Sequence, residues 1–403
     1  MNASLSKQPL ASAVAEVFRV FLKLGLTSFG GPIAHLGYYR NEFVVRRKWL
    51  DESSFADLVA LCQFLPGPAS SQVAFAVGLS RVGFLGGLAA WVAFTTPSAL
   101  ALLIFAYCST SITGPIGAAA LHGLMIVAVA VVAQAVWGMA RTLAPDWQRA
   151  TIALGAALIV VLAGNSIAQL VAIAFGGVGG FWFCREAAPH ATGHLSFSIS
   201  RRLGIAALVC YFLLLGGLPI LVEAFHSQTL ALFEAFYRSG ALVFGGGHVV
   251  LPLLQAATVD RGWVSNDVFL AGYGATQAVP GPVFTFAAYL GAVMNTKPNG
   301  LLGAVICLVA IFLPGMLILV GTLPFWDKFR RRIDAQATMR GINAAVVGLL
   351  AAALYNPIWT SAIHTARDFG LALTGFILLT IWKLPPWIIV IFSAGGAVAL
   401  AIL

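Results

Sequence analysis

Long apolar stretches recur along almost the whole chain, and they decide what it can fold into. Several have the ~20 residues that a helix needs to cross ~30 Å of hydrocarbon. Only 9% of the residues are charged, against about 25% in soluble domains, so polar groups are too few to cover a water-facing surface. We therefore predict an all-α polytopic membrane protein. The stretches are Leu85–Cys108, Ala119–Ala140, Ile152–Gly164, Ile167–Phe183, Leu203–Ala224, Leu301–Leu323, Ile342–Asn356, Gly370–Ile381 and Trp387–Leu403.

The second half of the chain repeats the first. The run Phe18–Leu36 aligns with Phe233–Leu251, and the register drifts by only a few residues further on. Glycines, prolines and aromatic residues carry the match, which chance does not readily produce. We predict a first repeat at 12–186, a linker with one extra transmembrane helix at 187–228, and a second repeat at 229–403. Matched pairs include Lys23 with Arg238, Trp49 with Trp263, Gln63 with Gln277, and Pro97 with Pro314.

The basic residues indicate that the two repeats have opposite orientations. In the first repeat they cluster between the two opening segments. In the second, the matching loop has only Arg261, and the cluster follows Leu301–Leu323 instead. By the positive-inside rule, equivalent loops then face opposite sides of the membrane, as in the inverted-topology repeats of secondary transporters. The clusters are Arg40, Arg46, Arg47 and Lys48 in the first repeat, and Lys328, Arg330, Arg331, Arg332 and Arg340 in the second.

The same rule predicts the location of both termini. The N-terminus, with Lys7, is expected in the cytoplasm and the C-terminus in the periplasm, on either side of a bacterial inner membrane. The net charge of +9 is therefore interpreted as a topology signal and not as a nucleic-acid-binding signal. The five cysteines occur singly and the seven histidines show no ligand spacing, so no metal site and no cofactor are predicted.

Four breaks interrupt the apolar segments, two in each repeat. We name them the first glycine break (29–32), the first proline break (65–68), the second glycine break (244–247) and the second proline break (279–282). Broken or re-entrant helices survive at membrane depth only where they are buried in protein or line a cavity. Each second half-helix would point its N-terminus, which attracts anions, toward the midplane. The plainer alternative is that these residues only permit kinks or close helix packing.

The candidate substrate-binding residues lie at or near these breaks. Hydroxyl, amide and backbone N–H groups can donate to an oxyanion without bringing charge, and a basic residue inside an apolar segment is a functional-site hypothesis by default. The alternatives are that the two basic residues extend to the membrane interface and that the histidine is a packed structural residue. The candidates are Lys23, Gly30, Gly31, Gln63, Gly67, Ser70, Ser71, Arg238, Gly245, Gly246, His248, Gln277, Gly281 and Thr285.

Two further expectations concern acids and catalysis. We interpret four acids near the first basic loop as partners of its basic residues, with a role in coupling as the alternative. The acids are Glu42, Asp51, Glu52 and Asp57, and the basic residues are Arg46, Arg47 and Lys48. No membrane-embedded HExxH, paired aspartates or Ser/His set occurs at a spacing that would support catalysis. We therefore predict that the chain is not an enzyme.

With both repeats located, the sequence resembles the chromate ion transporter (CHR) family in its long two-domain form. The resemblance rests on residues 29–32, on Trp49-Leu50, on the run from Gln63 to Gly78, and on their counterparts in the second half. It implies an inner-membrane secondary transporter that exports chromate and confers chromate resistance. The sequence departs from the symmetric pattern at Gly247, where the first half has Pro32, so the halves need not contribute equally.

The resemblance leaves the choice among oxyanions open. Chromate and sulfate are both tetrahedral dianions of similar size, so sulfate or another small oxyanion, with or without proton coupling, is the alternative substrate. The expected partners are such an oxyanion and the lipid bilayer, and a homodimer is a candidate assembly.

Overall fold

The computed structural model describes residues 9–111, 114–163, 166–185, 199–330 and 332–402. Regular structure in these ranges is helical and includes no strand, which confirms the predicted all-α class. Lys7, Arg331 and residues 186–198 of the predicted linker lie outside the described residues. Five of the described segments are long and apolar enough to cross a membrane. They are Ala69–Ser109, Gly114–Leu143, Arg201–Phe225, Gly300–Phe329 and Ile333–Ala362.

The described α-helices number seven in the first half and ten in the second, with one extra helix between the halves. Those of the first half are α1 (Leu10–Thr27), α2 (Gly31–Tyr39), α3 (Glu52–Phe64), α4 (Ala69–Ser111), α5 (Gly114–Leu143), α6 (Trp147–Ala163) and α7 (Ser166–Phe183). The extra helix is α8 (Arg201–Phe225). Those of the second half are α9 (Gln228–Ala241), α10 (Val250–Thr258), α11 (Asn266–Thr276), α12 (Phe286–Val293), α13 (Gly300–Thr322), α14 (Trp326–Phe329), α15 (Ile333–Ala353), α16 (Thr360–Ala362), α17 (Ala366–Thr380) and α18 (Pro386–Ile402).

Short half-helices flank the proline breaks, as the sequence predicts. α3 has 13 residues and α11 has 11, so at 1.5 Å per residue they are about 20 and 17 Å long. Neither crosses ~30 Å of hydrocarbon. α3 ends at Phe64, and the next residue, Leu65, is extended because Pro66 follows it. α4 then runs back from Ala69 and bends at Val82 and Gly83, where the backbone is not helical.

The closing helices of each repeat pack on the other repeat. α6 and α7 lie against α15, while α17 and α18 lie against α5. The contact between α7 and α15 admits only glycine: a Cβ at Gly341 would lie 2.1 Å from the carbonyl oxygen of Gly176 and 2.4 Å from Cα of Gly180. Small residues at such a crossing let two membrane helices approach closely. The two repeats are therefore interlocked.

A buried ion pair joins the two repeats near their basic loops. Asp57 on α3, whose side chain is fully buried, accepts two hydrogen bonds from Nη1 of Arg330, at 3.0 and 3.1 Å. It also accepts one from the indole N–H of Trp326, at 3.3 Å. The expectation that Asp57 pairs with Arg46, Arg47 or Lys48 is wrong, because the second repeat supplies its partner.

Of the other three acids expected to pair in the first basic loop, Glu42 does so, whereas Glu52 binds Arg40 at 2.6 Å and Asp51 caps α3. Glu42 binds Arg46 at 3.1 Å and Arg47 at 2.5 Å. Because Asp57 lies on the helix that follows this loop, its bond to Arg330 holds the two basic clusters on one side of the molecule. That placement is the one inverted repeats require.

Candidate functional site

The four breaks meet where the two repeats cross. The backbone N–H of Gly67, in the first proline break, donates to the carbonyl oxygen of Val243, just before the second glycine break, at 2.7 Å. The N–H of Gly281, in the second proline break, donates to the carbonyl oxygen of Ser28, just before the first glycine break, at 2.9 Å. Each proline break is thus bonded to the glycine break of the other repeat. Both glycines have positive φ, at 117° and 102°, a backbone conformation that a side chain would strain.

The two glycine breaks also touch each other. A Cβ at Gly247 would lie 3.2 Å from Cγ of Pro32, and one at Gly31 would lie 4.0 Å from Nε2 of His248. Gly247, where the second repeat departs from the pattern of the first, therefore lies next to Pro32, the residue that it matches. Two prolines would collide here, which gives a packing reason for glycine in the second repeat.

The cross-repeat bonds change which groups are open to an anion. The N–H groups of Gly67 and Gly281 are already engaged, so they are not the donors that their place in the sequence suggests. An anion at the breaks would use the hydroxyl and N–H groups that follow them.

A buried histidine connects the two breaks of the first repeat. His35 on α2 is fully buried. Its Nε2 lies 3.2 Å from the carbonyl oxygen of Ser28, and its Nδ1 lies 3.3 Å from Oγ of Ser70 at the start of α4. The ring packs edge-on against Phe94, with centroids 5.3 Å apart. Sequence reasoning missed His35, although a polar residue in an apolar segment three positions after Pro32 was an available signal.

The first repeat also holds buried hydroxyls without partners. Within the described residues, Oγ of Ser28, Oγ of Ser71 and Oγ1 of Thr95 make no hydrogen bond. A buried polar atom without a partner costs free energy, so such atoms in a native fold call for a ligand, a water or an ion. Ser71 was predicted, whereas Ser28 and Thr95 were not.

Two hydroxyls that flank the second proline break, including that of Thr285, the counterpart of Ser71, are satisfied locally. The Thr285 hydroxyl donates to the carbonyl oxygen of Pro282 at 2.7 Å, and the Thr276 hydroxyl donates to that of Gly272 at 2.8 Å. The predicted role of Thr285 as a donor to the anion is therefore not supported by its geometry.

The remaining polar candidates divide between buried and exposed positions. His248 is bonded through Nδ1 to the Tyr273 hydroxyl at 2.7 Å, and Gln277 is buried and donates to the carbonyl oxygen of Tyr273 at 3.4 Å. The side chains of Lys23 and Gln63 are exposed on α1 and α3 and make no hydrogen bond or ion pair within the described residues.

The predicted basic residue of the second repeat is paired with an acid. Arg238 lies 3.1 Å from Glu234, one turn earlier on α9, and Arg261 lies 3.4 Å from the same carboxylate. Glu234 is buried and was missed from sequence. Arg238 thus balances the charge of a buried carboxylate. The roles of Lys23 and Arg238 in substrate binding stay predictions.

The remaining glycine candidates form the walls of the glycine breaks. Gly30 and Gly245 have positive φ, at 98° and 74°, so each turns the chain between two half-helices. Gly246, with φ of 145°, begins the turn that leads into α10. In the described part of the chain no group of three or more His, Cys, Asp or Glu side chains could hold a metal ion.

The comparisons with known proteins agree with this architecture. A family model described as "Chromate transporter" matches residues 15–181 and 230–400, one match per repeat. The chain belongs to the chromate transporter family. It is 26% identical to the "Chromate transport protein" of Pseudomonas aeruginosa over 403 residues, covering 98% of this chain and 94% of that one. It is 27% identical to the "Probable chromate transport protein" of Synechococcus elongatus, covering 96% of each.

A shorter relative matches only part of this chain. The "Uncharacterized transporter YwrB" of Bacillus subtilis is 32% identical over 173 residues, which cover 40% of this chain and 83% of that one. A protein of about one repeat in length is therefore similar to part of this chain. No solved structure matches the chain significantly.

Proposed function

We propose that this chain exports chromate from the cytoplasm across the bacterial inner membrane and so confers chromate resistance. The observation that carries the proposal is the meeting of four helix breaks between two interlocked repeats, with unpartnered buried hydroxyls in the first repeat. Secondary transporters with inverted repeats place their substrate site at such broken helices. The names of the full-length relatives supply the substrate.

The proposed driving force is the membrane potential. Moving one elementary charge across the membrane is worth about 2.3 kcal/mol per 100 mV. A dianion that leaves an inside-negative cell at 100 mV therefore gains roughly 4.6 kcal/mol, a ratio of order a thousandfold at equilibrium. Among the described residues, no carboxylate makes a hydrogen bond to a residue of the four breaks, so no acidic side chain bonded there would oppose a bound anion.

Everted membrane vesicles, whose lumen corresponds to the periplasm, provide the test. Radiolabelled chromate should accumulate when a lumen-positive potential is imposed with equal pH on both sides. Vesicles without the protein and vesicles without the potential are the controls. Accumulation that ignores the potential and follows only a pH gradient would contradict the proposed driving force.

Sulfate is the second candidate substrate, because the unpartnered hydroxyls would accept any tetrahedral dianion of this size. The same vesicles decide between them by competition. Unlabelled sulfate should compete with labelled chromate only if the site accepts both, and labelled sulfate should then accumulate as well.

The proposed orientation puts the N-terminus in the cytoplasm and the C-terminus in the periplasm. It is supported by the Asp57–Arg330 pair, which holds the two basic clusters on one side. Reporter fusions after Lys48 and after Arg332 should both report cytoplasm, and a fusion at Leu403 should report periplasm. A cytoplasmic reading at Leu403 would contradict it. The lipid bilayer is the proposed partner of the outer surface, where Leu162, Leu213 and other large apolar side chains are exposed.

A further inference from the structure

His35 is placed where a proton and an anion could influence each other. Its two ring nitrogens reach the two breaks of the first repeat, one through the carbonyl oxygen of Ser28 and the other through the Ser70 hydroxyl. The same carbonyl also accepts the N–H of Gly281 from the second repeat. One imidazole therefore connects three of the four breaks.

The hydrogen bonds fix the form of the neutral ring. A backbone carbonyl can only accept, so Nε2 carries the hydrogen and donates to Ser28. Nδ1 then holds a lone pair and accepts from the Ser70 hydroxyl. In this state the Ser70 hydroxyl donates its only hydrogen to the ring. It therefore offers only lone pairs to its other neighbours, and an anion, which needs a donor, cannot bind to them.

We propose that His35 takes up one proton when the oxyanion binds, and that this proton reverses the Ser70 hydrogen bond. In the charged ring both nitrogens donate. Ser70 Oγ then accepts from Nδ1, and its own hydrogen is free to turn toward the anion. The proton comes from solvent, stays on the imidazole, and forms no covalent bond with the anion. The proposal rests on the proposed function, since it concerns the site for the same oxyanion.

The surroundings of the ring explain why the anion is needed. The described groups that face it are Phe94 and Ser70 from α4, the carbonyl of Ser28, and the neighbouring ring of Tyr39 on its own helix. Tyr39 is the titratable one, and its hydroxyl has no partner among the described residues. No described carboxylate or basic side chain bonds to the ring. Burial without an opposite charge disfavours a charged imidazole, and a bound dianion supplies that charge.

If proton uptake accompanies anion binding, the affinity for chromate must depend on pH. This dependence can be measured on the purified full-length protein in detergent. Chromate affinity is measured by calorimetry in buffers of different ionisation heats, in the alkaline range where free chromate is fully ionised. The wild type should take up close to one proton per anion. Its affinity should fall about tenfold per pH unit once the free ring has lost its proton.

The His35→Gln variant is the critical comparison. A glutamine amide can donate to Ser28 and accept from Ser70, so it copies the neutral ring and preserves the fold. It should bind chromate more weakly, with an affinity independent of pH and no proton uptake. The exposed His364→Gln change is the matched control and should behave as the wild type. Proton uptake that persists in His35→Gln would overturn the proposal.

A second variant tests the hydroxyl. Ser70→Ala should keep the proton uptake but bind chromate roughly tenfold more weakly, which corresponds to the loss of one charge-assisted hydrogen bond. Wild-type affinity in Ser70→Ala would refute the reversal of this hydrogen bond. If the wild type binds chromate without taking up a proton, the proposal for His35 fails and the proposed function stands. If neither chromate nor sulfate binds, the proposed function itself fails.

Discussion

The two repeats share a backbone frame at the breaks but differ in the side chains around it. The bond from Gly67 to Val243 has its counterpart in the bond from Gly281 to Ser28, and Val243 and Ser28 occupy matched positions in the repeats. The polar residues of the first repeat have mostly apolar counterparts in the second. The matched pairs are Ser28 with Val243, His35 with Val250, Ser70 with Phe284, Ser71 with Thr285, and Thr95 with Phe312.

The half-helices before the proline breaks show the same contrast. α3 carries Asp57, buried and bonded to Arg330, whereas the matched position of α11 is Ala271. α3 is therefore bonded through an ion pair to the other repeat. The second repeat keeps the chain path and fills the matched position with a small apolar side chain. The backbone frame at the breaks is thus common to both repeats, while these polar side chains lie mostly in the first.

Substituting the proline-break glycines should give the largest effect. We expect Gly67→Leu and Gly281→Leu to remove chromate accumulation in vesicles, because a side chain at positive φ costs about 1–3 kcal/mol in strain and would also collide. Gly67→Leu should be the more damaging, since its Cβ would lie 3.0 Å from the Gly315 backbone, whereas at Gly281 the obstacle is the Ser98 side chain, 2.8 Å away. Gly138→Leu, where nothing lies within 4 Å, is the control. Equal transport in all three variants would contradict a shared backbone frame.

The Asp57–Arg330 pair should give the next largest effect. Asp57→Ala removes a fully buried carboxylate that accepts from Arg330 and Trp326, while Arg330 keeps its ion pair with Asp327. We therefore expect the free energy of unfolding to fall by about 1–3 kcal/mol, the usual cost of leaving buried donors without their acceptor, measured by thermal and denaturant unfolding in detergent. The exposed pair of Arg40 and Glu52 provides the control, because Glu52→Gln should cost about 0–1 kcal/mol. The exchange of Asp57 and Arg330 should recover part of the loss. If Asp57→Ala costs no more than Glu52→Gln, the pair does not hold the repeats together.

The matched hydroxyls Ser71 and Thr285 sharpen the comparison at the site. Ser71→Ala removes an unpartnered hydroxyl, so we expect chromate binding to weaken about tenfold, the equivalent of one hydrogen bond. Thr285→Val removes a hydroxyl that already donates to Pro282, so affinity should stay within about twofold. Both are measured by calorimetry. Equal losses in the two variants would mean that the second repeat contributes as much as the first.

The breaks could be predicted from sequence because a break depends on the backbone conformation of a few neighbouring residues. Glycine at positive φ and proline at the start of a half-helix are demands of the chain at that position, so residues 29–32 and 279–282 could be found from sequence. Pairing across the repeats is a property of packing. No local signal shows that Gly67 bonds to Val243 or that Asp57 bonds to Arg330.

The comparison of matched positions in the two repeats also explains which site residues were missed from sequence. His35 was overlooked because its counterpart, Val250, is apolar, and a search for matched polar residues cannot find a residue present in one copy. Lys23 and Arg238 were chosen because they match. In the structure Lys23 is exposed and Arg238 is paired with Glu234, so equivalent positions in a repeat do not guarantee equivalent surroundings.

The smallest expected effect concerns the matched residues that cap α3 and α11. Asp51 accepts from the backbone N–H of Ser54, and Ser265 accepts from that of Val268. Loss of either cap should cost about 1 kcal/mol at neutral pH, so Asp51→Ala and Ser265→Ala should lower the free energy of unfolding similarly. The two caps differ in charge, and only the first can titrate.

The pH dependence of the Asp51 cap follows from its hydrogen bonds. Bonds from the Ser53 hydroxyl, and then from the N–H and hydroxyl of Ser54, lower the pKa of Asp51 to about 2. The unfolded chain has a value of about 3.9. A lowered pKa stabilises the fold above the unfolded value, and this contribution is lost as pH falls through about 4 toward 2. The stability difference between wild type and Asp51→Ala should therefore shrink in that range, while that for Ser265→Ala stays constant. A constant difference for both would show that the charge of Asp51 adds nothing to its cap.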